Sequence, residues 1–317
     1  MKRIILAFAL LLLLGCIWPW GGGKDELELV PKHANVVVIL RPAATFSDSD
    51  IAIQNWEDIS YSLNRTEETT GINPMNIDRL VLFMKFDSLR PPSGYYGGFI
   101  ARGGIEKDKI LERMAVSNVV TQISYGDHVL YEIYPNGMPL NKSYFSFLDG
   151  NTLVGGTRQA VQDSIDTSVG RAESVKSTPK LSQTYDSFDK SSLLIFLMNF
   201  PPQLKSDINN SREEQLSPRV LSHVDCVGLS LMKKAKTVNV ELFVSAEDAP
   251  SASDISNSFD KMLSLMKGLA PSGSTVEAVL KKINVEANGN KVAVTLSSNP
   301  DELKKLRDDL YAFQPRQ

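Results

Sequence analysis

Residues 189–198, Asp-Lys-Ser-Ser-Leu-Leu-Ile-Phe-Leu-Met, decide the reading of the fold, because residues 32–40, Lys-His-Ala-Asn-Val-Val-Val-Ile-Leu, run in the same order. In each, a polar turn feeds an apolar run of strand length. The residues beyond each run also agree, with Ser49-Asp50-Ile51 beside Ser206-Asp207-Ile208, and Asp225 to Met232 tracking Asp78 to Met84. Two halves with one order of hydrophobic runs predict two similar lobes.

Around the first echo, Val36 to Leu40 reads as a buried strand bounded by Asn35 and Pro42, and a polar, partly helical stretch extends from there to Gly71. Asp78 to Phe86 and Tyr95 to Arg102 read as two further strands joined by a loop at Pro91-Pro92. Ile105, Ile110, Leu111 and Met114 give one face of a short helix. Val119 to Ser124 and Val129 to Ile133 flank Tyr125-Gly126-Asp127-His128, a hairpin turn in which glycine can take positive φ. A second hairpin turns at Asp149-Gly150-Asn151, and Thr157 then caps a helix carrying Ala160, Val161 and Ile165.

The second half replays this order. Thr237 to Val244 supplies the strand beside 225–232, and Ile255, Phe259, Met262, Leu263, Met266 and Leu269 fall at helical spacing as an inner face. Ile283 to Ala287 and Val292 to Leu296 flank a turn at Asn288-Gly289-Asn290. Asn299-Pro300-Asp301-Glu302 starts a last helix, with proline in the first turn and acids at the positive dipole end. Leu303, Leu306, Leu310 and Phe313 line its inner side. The unit is strand, helical excursion, two strands, helix, hairpin, helix. That predicts an α+β fold of two similar lobes, each a mainly antiparallel sheet covered by helices on one face. The expected divisions are 1–15 as signal peptide, 16–27 as lipidated tether, 28–170 as first repeat, 171–188 as linker, and 189–317 as second repeat, the boundary being marked by the Ser, Gly and Lys residues near Gly170 to Lys180.

The N-terminus predicts the location. Met-Lys-Arg leads into an apolar run from Ile4 to Ile17, about 14 residues and short of the ~20 that cross a bilayer as a helix. A basic start, an apolar core and a small residue before a cysteine are the order of an export signal. Leu13-Leu14-Gly15-Cys16 resembles the lipobox of prokaryotic lipoproteins, in which the cysteine is acylated and the signal is cut before it. That resemblance implies a lipid of the palmitate type on Cys16 and a body on the extracytoplasmic side of the cell membrane. Ile17-Trp18-Pro19-Trp20 is more apolar than a usual tether. It leaves a second possibility open, an uncleaved anchor reaching Trp20.

Hydrophobic content of 42% against 22% charged residues is globular, so both halves can bury a core. The net charge is −3, and without Lys2 and Arg3 it becomes −5, from 32 basic and 37 acidic side chains. Such a balance argues against nucleic acid as a partner. Cys226, in an apolar strand-like run, reads as a buried inert thiol. If Cys16 is acylated, no disulfide can form. Glycosylation acceptors occur at Asn64, Asn141 and Asn209, each in a polar stretch.

No catalytic or metal motif stands out. His33, His128 and His223 are the only histidines and no two share a metal-ligand spacing. Gly155-Gly156-Thr157 lacks the lysine of a phosphate loop, and close packing of a strand–helix turn is the preferred reading. Ser-x-x-Lys occurs at Ser177/Lys180, Ser187/Lys190, Ser230/Lys233, Ser258/Lys261 and Ser264/Lys267 without the partner motifs of penicillin-binding enzymes. Asp48 and Asp50 lack the rest of a calcium loop. Tyr95, Tyr96, Tyr131, Tyr134, Tyr144, Phe145 and Phe147 gather near loops, either to recognise another surface or as core.

Val30-Pro31-Lys32-His33-Ala34-Asn35-Val36-Val37-Val38 and the strand–Gly–helix element from Leu153 to Val161 resemble a group of exported prokaryotic lipoproteins, bacterial or archaeal, with a duplicated α+β body. The resemblance implies fold type and surface location and brings no activity, cofactor or metal. The expectation is a non-enzymatic, membrane-tethered envelope protein that meets an unknown protein or polymer. The alternative is a lipoprotein that binds a small ligand in a cleft between its lobes.

Overall fold

The computed structural model describes residues 25–48, 56–88, 95–210 and 222–312, so Cys16, Asp50, the Pro91-Pro92 loop and Phe313 lie outside it. The chain divides into two compact units, Met1–Ser182 and Gln183–Gln317.

In the first unit the strands are β1 (Val36–Leu40), β2 (Ile77–Met84), β3 (Gly97–Gly103), β4 (Asn118–Tyr125), β5 (His128–Pro135), β6 (Ser143–Asp149) and β7 (Thr152–Gly156). The helices are α1 (Pro42–Ser47), α2 (Trp56–Thr70), α3 (Lys107–Ser117) and α4 (Arg158–Ser168). The strands lie in the order β1-β2-β3-β7-β6-β5-β4, each pair antiparallel. A helix α5 (Pro179–Asp186) runs across the division between units. The second unit holds β8 (Leu194–Asn199), α6 (Pro202–Asn209), β9 (Val224–Lys234), β10 (Thr237–Ala246), α7 (Ala249–Leu269), α8 (Thr275–Lys281), β11 (Asn284–Asn288), β12 (Lys291–Ser298) and α9 (Pro300–Ala312). Its order is β8-β9-β10-β12-β11, again antiparallel throughout. The class is α+β.

The two orders agree position by position until the first unit adds the β4–β5 hairpin, which has no counterpart among the described strands of the second. Register shows where the echo holds. Met84 pairs with Val36 and Leu231 with Leu194, while the N–H groups of Asn35 and Leu193 donate to the carbonyls of Met84 and Leu231. Leu231 therefore stands at the place of Met84, Leu194 at that of Val36 and the apolar Leu193 at that of Asn35.

Inside its β4 edge the first sheet is buried on both faces, which corrects the expectation of one. Ile77, Ala101, Tyr131, Phe145 and Leu153 form one core with Ile105 and with Ile110 of α3. On the other parity Ile100, Leu130, Ser146 and Val154 are buried on the side packed by α4, whose Ala160, Val161 and Ile165 have no exposed surface. The cause is visible in pairs such as Ile100-Ala101 and Leu153-Val154, apolar at successive positions that point to opposite faces. Each buried Leu, Ile or Val contributes about 1.5–3 kcal/mol.

The second sheet packs Val224, Val244, Ala246 and Val292 under Ala252 and Ile255 of α7. On its opposite face Gly228 pairs with Phe243, whose ring centroid lies 5.1 Å from that of Phe188. A Cβ at Gly228 would stand 2.5 Å from the Thr184 methyl and 2.7 Å from the Phe188 ring, so only glycine lets this segment reach the sheet.

Residues 171–188, expected to be a linker, contain the division between the units and are folded on both sides of it. They contain α5 and bury Val175, Leu181, Tyr185 and Phe188. Their Ser- and Lys-rich composition conceals these widely spaced anchors. The end of the supposed tether is docked too. Asp25 caps a short turn at Glu26–Glu28, Leu27 is fully buried, Lys176 pairs with Asp25 and Glu28, and Val175 N–H donates to the Val30 carbonyl. Residues 25–27 thus pack with the first unit.

Candidate interaction surface

Helix α7 begins where the Asp248 carboxylate accepts the Ser251 N–H at 2.8 Å, and Pro250 sits in its first turn. Ala252, Ile255 and Leu263 are buried and Phe259 is half-buried. The sequence assigns Met262, Met266 and Leu269 to this inner face, and the structure places them outside it. Met262 is 52% exposed, Leu265 63%, Met266 44% and Leu269 76%. At spacings of three, four and seven they form one arc of the helix, flanked by Lys261 and Lys267. After Phe259 only Leu263 turns inward, so the apolar stripe continues after the sheet contact stops. Such a contiguous stripe is unusual on a surface without a partner.

A second apolar group lies in the first unit. Leu140, 94% exposed, and Met138 stand in the loop between β5 and β6, and the Asn136 N–H donates to the Ser117 carbonyl at 3.2 Å. That bond brings the loop beside the end of α3, where Val116 is also exposed.

The aromatic candidates separate by depth. Tyr131 and Phe145 stack at 4.8 Å with Phe147 edge-on to both at 5.9 Å, so these three belong to the core. The Tyr96 and Tyr125 hydroxyls donate to Asp163 and Asp166 of α4, each at 2.9 Å, and Tyr144 donates to Glu132 at 2.8 Å. Burial, and then the carboxylate partner, pushes all three phenols up from their ordinary pKa. Tyr134 is half-buried under the Lys142 ammonium, and Tyr95 is mostly exposed.

The residues with catalytic potential are dispersed. His33 is exposed in a turn and His128 lies at the start of β5. His223 Nδ1 lies 3.2 Å from Glu247 Oε2, while Lys205 Nζ bridges Glu247 at 2.8 Å and Asp225 at 2.6 Å. Lys205 first, and His223 second, hold the Glu247 carboxyl below its usual range. Among the described residues no group of three or more His, Cys, Asp or Glu is placed to hold a metal ion. Cys226 is fully buried in β9.

Ser177, Ser187 and Ser258 donate their hydroxyls to carbonyls of their own turns, of Ser174, Gln183 and Asp254. The Lys190 ammonium donates to the Tyr185 carbonyl and to Asp186 and lies over the Tyr185 ring. At Gly155-Gly156, φ of Gly156 is +147°, an added Cβ would strike the Gly97 carbonyl, and the Thr157 N–H donates to that same oxygen. The turn is glycine because two strands meet there, and the Thr157 hydroxyl already accepts the Ala160 N–H. Asn64 lies within α2, Asn141 in the β5–β6 turn and Asn209 at the end of α6, all exposed. No helix among the described residues is long and apolar enough to cross a membrane.

No protein-family model and no curated protein matches the chain. Solved structures share its fold over most of its length. Crystal forms III and IV of TP0453, from Treponema pallidum, each cover 90% of this chain, with 99% and 97% of their own length aligned, at a TM-score of 0.50 and 10% sequence identity. At that identity the likeness is one of fold, and by fold this α+β chain is similar to TP0453.

Proposed function

We propose that this is an exported protein, held on the extracytoplasmic side of the cell membrane by a lipid on Cys16, that binds a protein partner through α7 and has no catalytic centre of its own. The observation that carries the reading is the exposed arc of Met262, Leu265, Met266 and Leu269. Methionine and leucine at neighbouring turns of one helix give an adaptable apolar face of the kind that partners cover. The short apolar run from Ile4 to Ile17, with Gly15-Cys16 near its end, supports lipid attachment over a spanning helix.

A photo-crosslinking residue at Leu265 or Leu269, introduced into the full chain in intact cells, tests the partner. One reproducible protein adduct from these positions, absent when the probe sits at exposed Asn209, is expected. Equal, diffuse labelling from all three positions overturns the reading. Metabolic lipid labelling tests the tether and should disappear in Cys16→Ser. If the wild type takes up no label and stays in the membrane, an anchor reaching Trp20 replaces the lipid.

A further inference from the structure

The two sheets end differently. In the second unit the outer strand is β11, five residues long, with Glu286 at its centre and α7 packed against it. Its two-residue turn at Gly289-Asn290 fixes the hydrogen-bond phase, so Asn284, Glu286 and Asn288 bond to β12 and only Val285 and Ala287 direct backbone groups outward. Short length, a mid-strand charge and a covering helix are the ordinary protections of an edge.

In the first unit the outer strand is β4, Asn-Val-Val-Thr-Gln-Ile-Ser-Tyr, eight residues without a charge, a proline or a glycine. Among the described residues no strand pairs with its outer side. Two observations fix its phase. The turn at Gly126-Asp127 makes Tyr125 and His128 a bonded pair, and the Asn136 N–H donates to the Ser117 carbonyl in the same register. Val119, Thr121, Ile123 and Tyr125 therefore spend their backbone groups on β5. Asn118, Val120, Gln122 and Ser124 present theirs outward. Val119, Thr121, Gln122 and Ser124 are exposed, so the edge is open to solvent.

We infer that β4 is a pairing edge for a second copy of this chain, joined antiparallel about a two-fold axis through Thr121. A two-fold axis normal to the sheet keeps each side chain on its own face, so residues of like parity must oppose each other. With Thr121 opposite itself, Val119 faces Ile123, Asn118 faces Ser124 and Val120 faces Gln122. The bonded pairs are then Asn118 with Ser124 and Val120 with Gln122, which satisfies every outward N–H and C=O of these four residues. The non-bonded pairs are Thr with Thr and Val with Ile, both favourable across strands. No like charges meet, because the strand has none. The strand thus supplies its own complement, and the element that carries it is the hairpin without a counterpart among the described strands of the second unit.

The test is position-specific crosslinking in the full chain. Thr121→Cys places two thiols at a non-bonded pair, whose Cβ atoms are about 5 Å apart, near disulfide geometry. Oxidation should give a disulfide dimer several-fold more abundant than from Glu286→Cys on β11. Thr121→Lys sets two ammonium groups against each other and should weaken dimerisation several-fold in sedimentation, with an unchanged far-ultraviolet spectrum. Equal crosslinking from both edges, a Thr121→Cys adduct only with another protein, or a dimer indifferent to Thr121→Lys would each overturn the inference. The cysteine variant is nearly isosteric, so the test stands even where the lysine variant unfolds.

Discussion

Asn35 and Phe86 hold each other by two hydrogen bonds, the Asn35 amide donating to the Phe86 carbonyl at 2.9 Å and its oxygen accepting the Phe86 N–H at 2.7 Å. The pair fastens the chain just where β1 and β2 leave their ladder. Asn35→Ala strands two partly buried backbone groups and should cost about 1–3 kcal/mol in urea unfolding. Asn35→Asp keeps the acceptor and should lose less. Leu193, which occupies the matching place in the second unit, has no such amide, so Asn35→Leu should be as harmful as alanine.

Gly228 lies where Thr184 and Phe188 come down on β9. Gly228→Ala forces that contact open and should destabilise by about 1–3 kcal/mol. Removing the methyl it meets, by Thr184→Ser in the same chain, should recover part of the loss. A double-mutant cycle measures this, and strict additivity would contradict the contact.

Asp189 gives the chain a defined acid sensitivity. Hydrogen bonds from the hydroxyl and N–H of Ser191, then from the Lys234 ammonium, hold its carboxyl at about 2 against an ordinary 3.8. A depressed carboxylate stabilises the fold fully above its unfolded pKa, and that contribution is lost as pH falls from about 4 towards 2. Lys234 is mostly exposed, so after solvent screening the contribution is roughly 1 kcal/mol at neutral pH. Asp189→Asn should lower stability at pH 7 by that amount and flatten the acid limb of a thermal-melt series.

Along α7, adjacent leucines should behave oppositely. Leu263→Ala empties a buried site and should cost about 2–5 kcal/mol. Leu265→Ser and Leu269→Ser change exposed positions and should stay within about 0.5 kcal/mol of the parent while abolishing the crosslinked partner. Thermal melts and crosslinking on the same three variants separate the two roles.

Strand and helix order were legible because β-branched runs, two-residue turns and the caps at Thr157 and Asn299 are local signals. What escaped was set by tertiary geometry. Periodicity places Met266 and Leu269 on the same side as Ile255, but it cannot report where the sheet beneath a helix ends. Composition made 171–188 a linker because five buried side chains among eighteen residues leave no periodic trace. The α8 helix, Thr275–Lys281, escaped because its length is two turns. At the candidate surface, Tyr131 and Phe145 look the same in sequence as Tyr95, and only the β5–β6 register separates core from surface.

The phenols bound to α4 carry a chemical consequence. Iodine and nitrating reagents attack tyrosine as its phenolate, and burial with hydrogen bonding to Asp163 and Asp166 keeps Tyr96 and Tyr125 in the neutral form. While α4 is seated these two rings react more slowly with such reagents than they do once it lifts. Their rate of iodination is therefore a clock for the opening of one helix, readable in the intact protein without any introduced label.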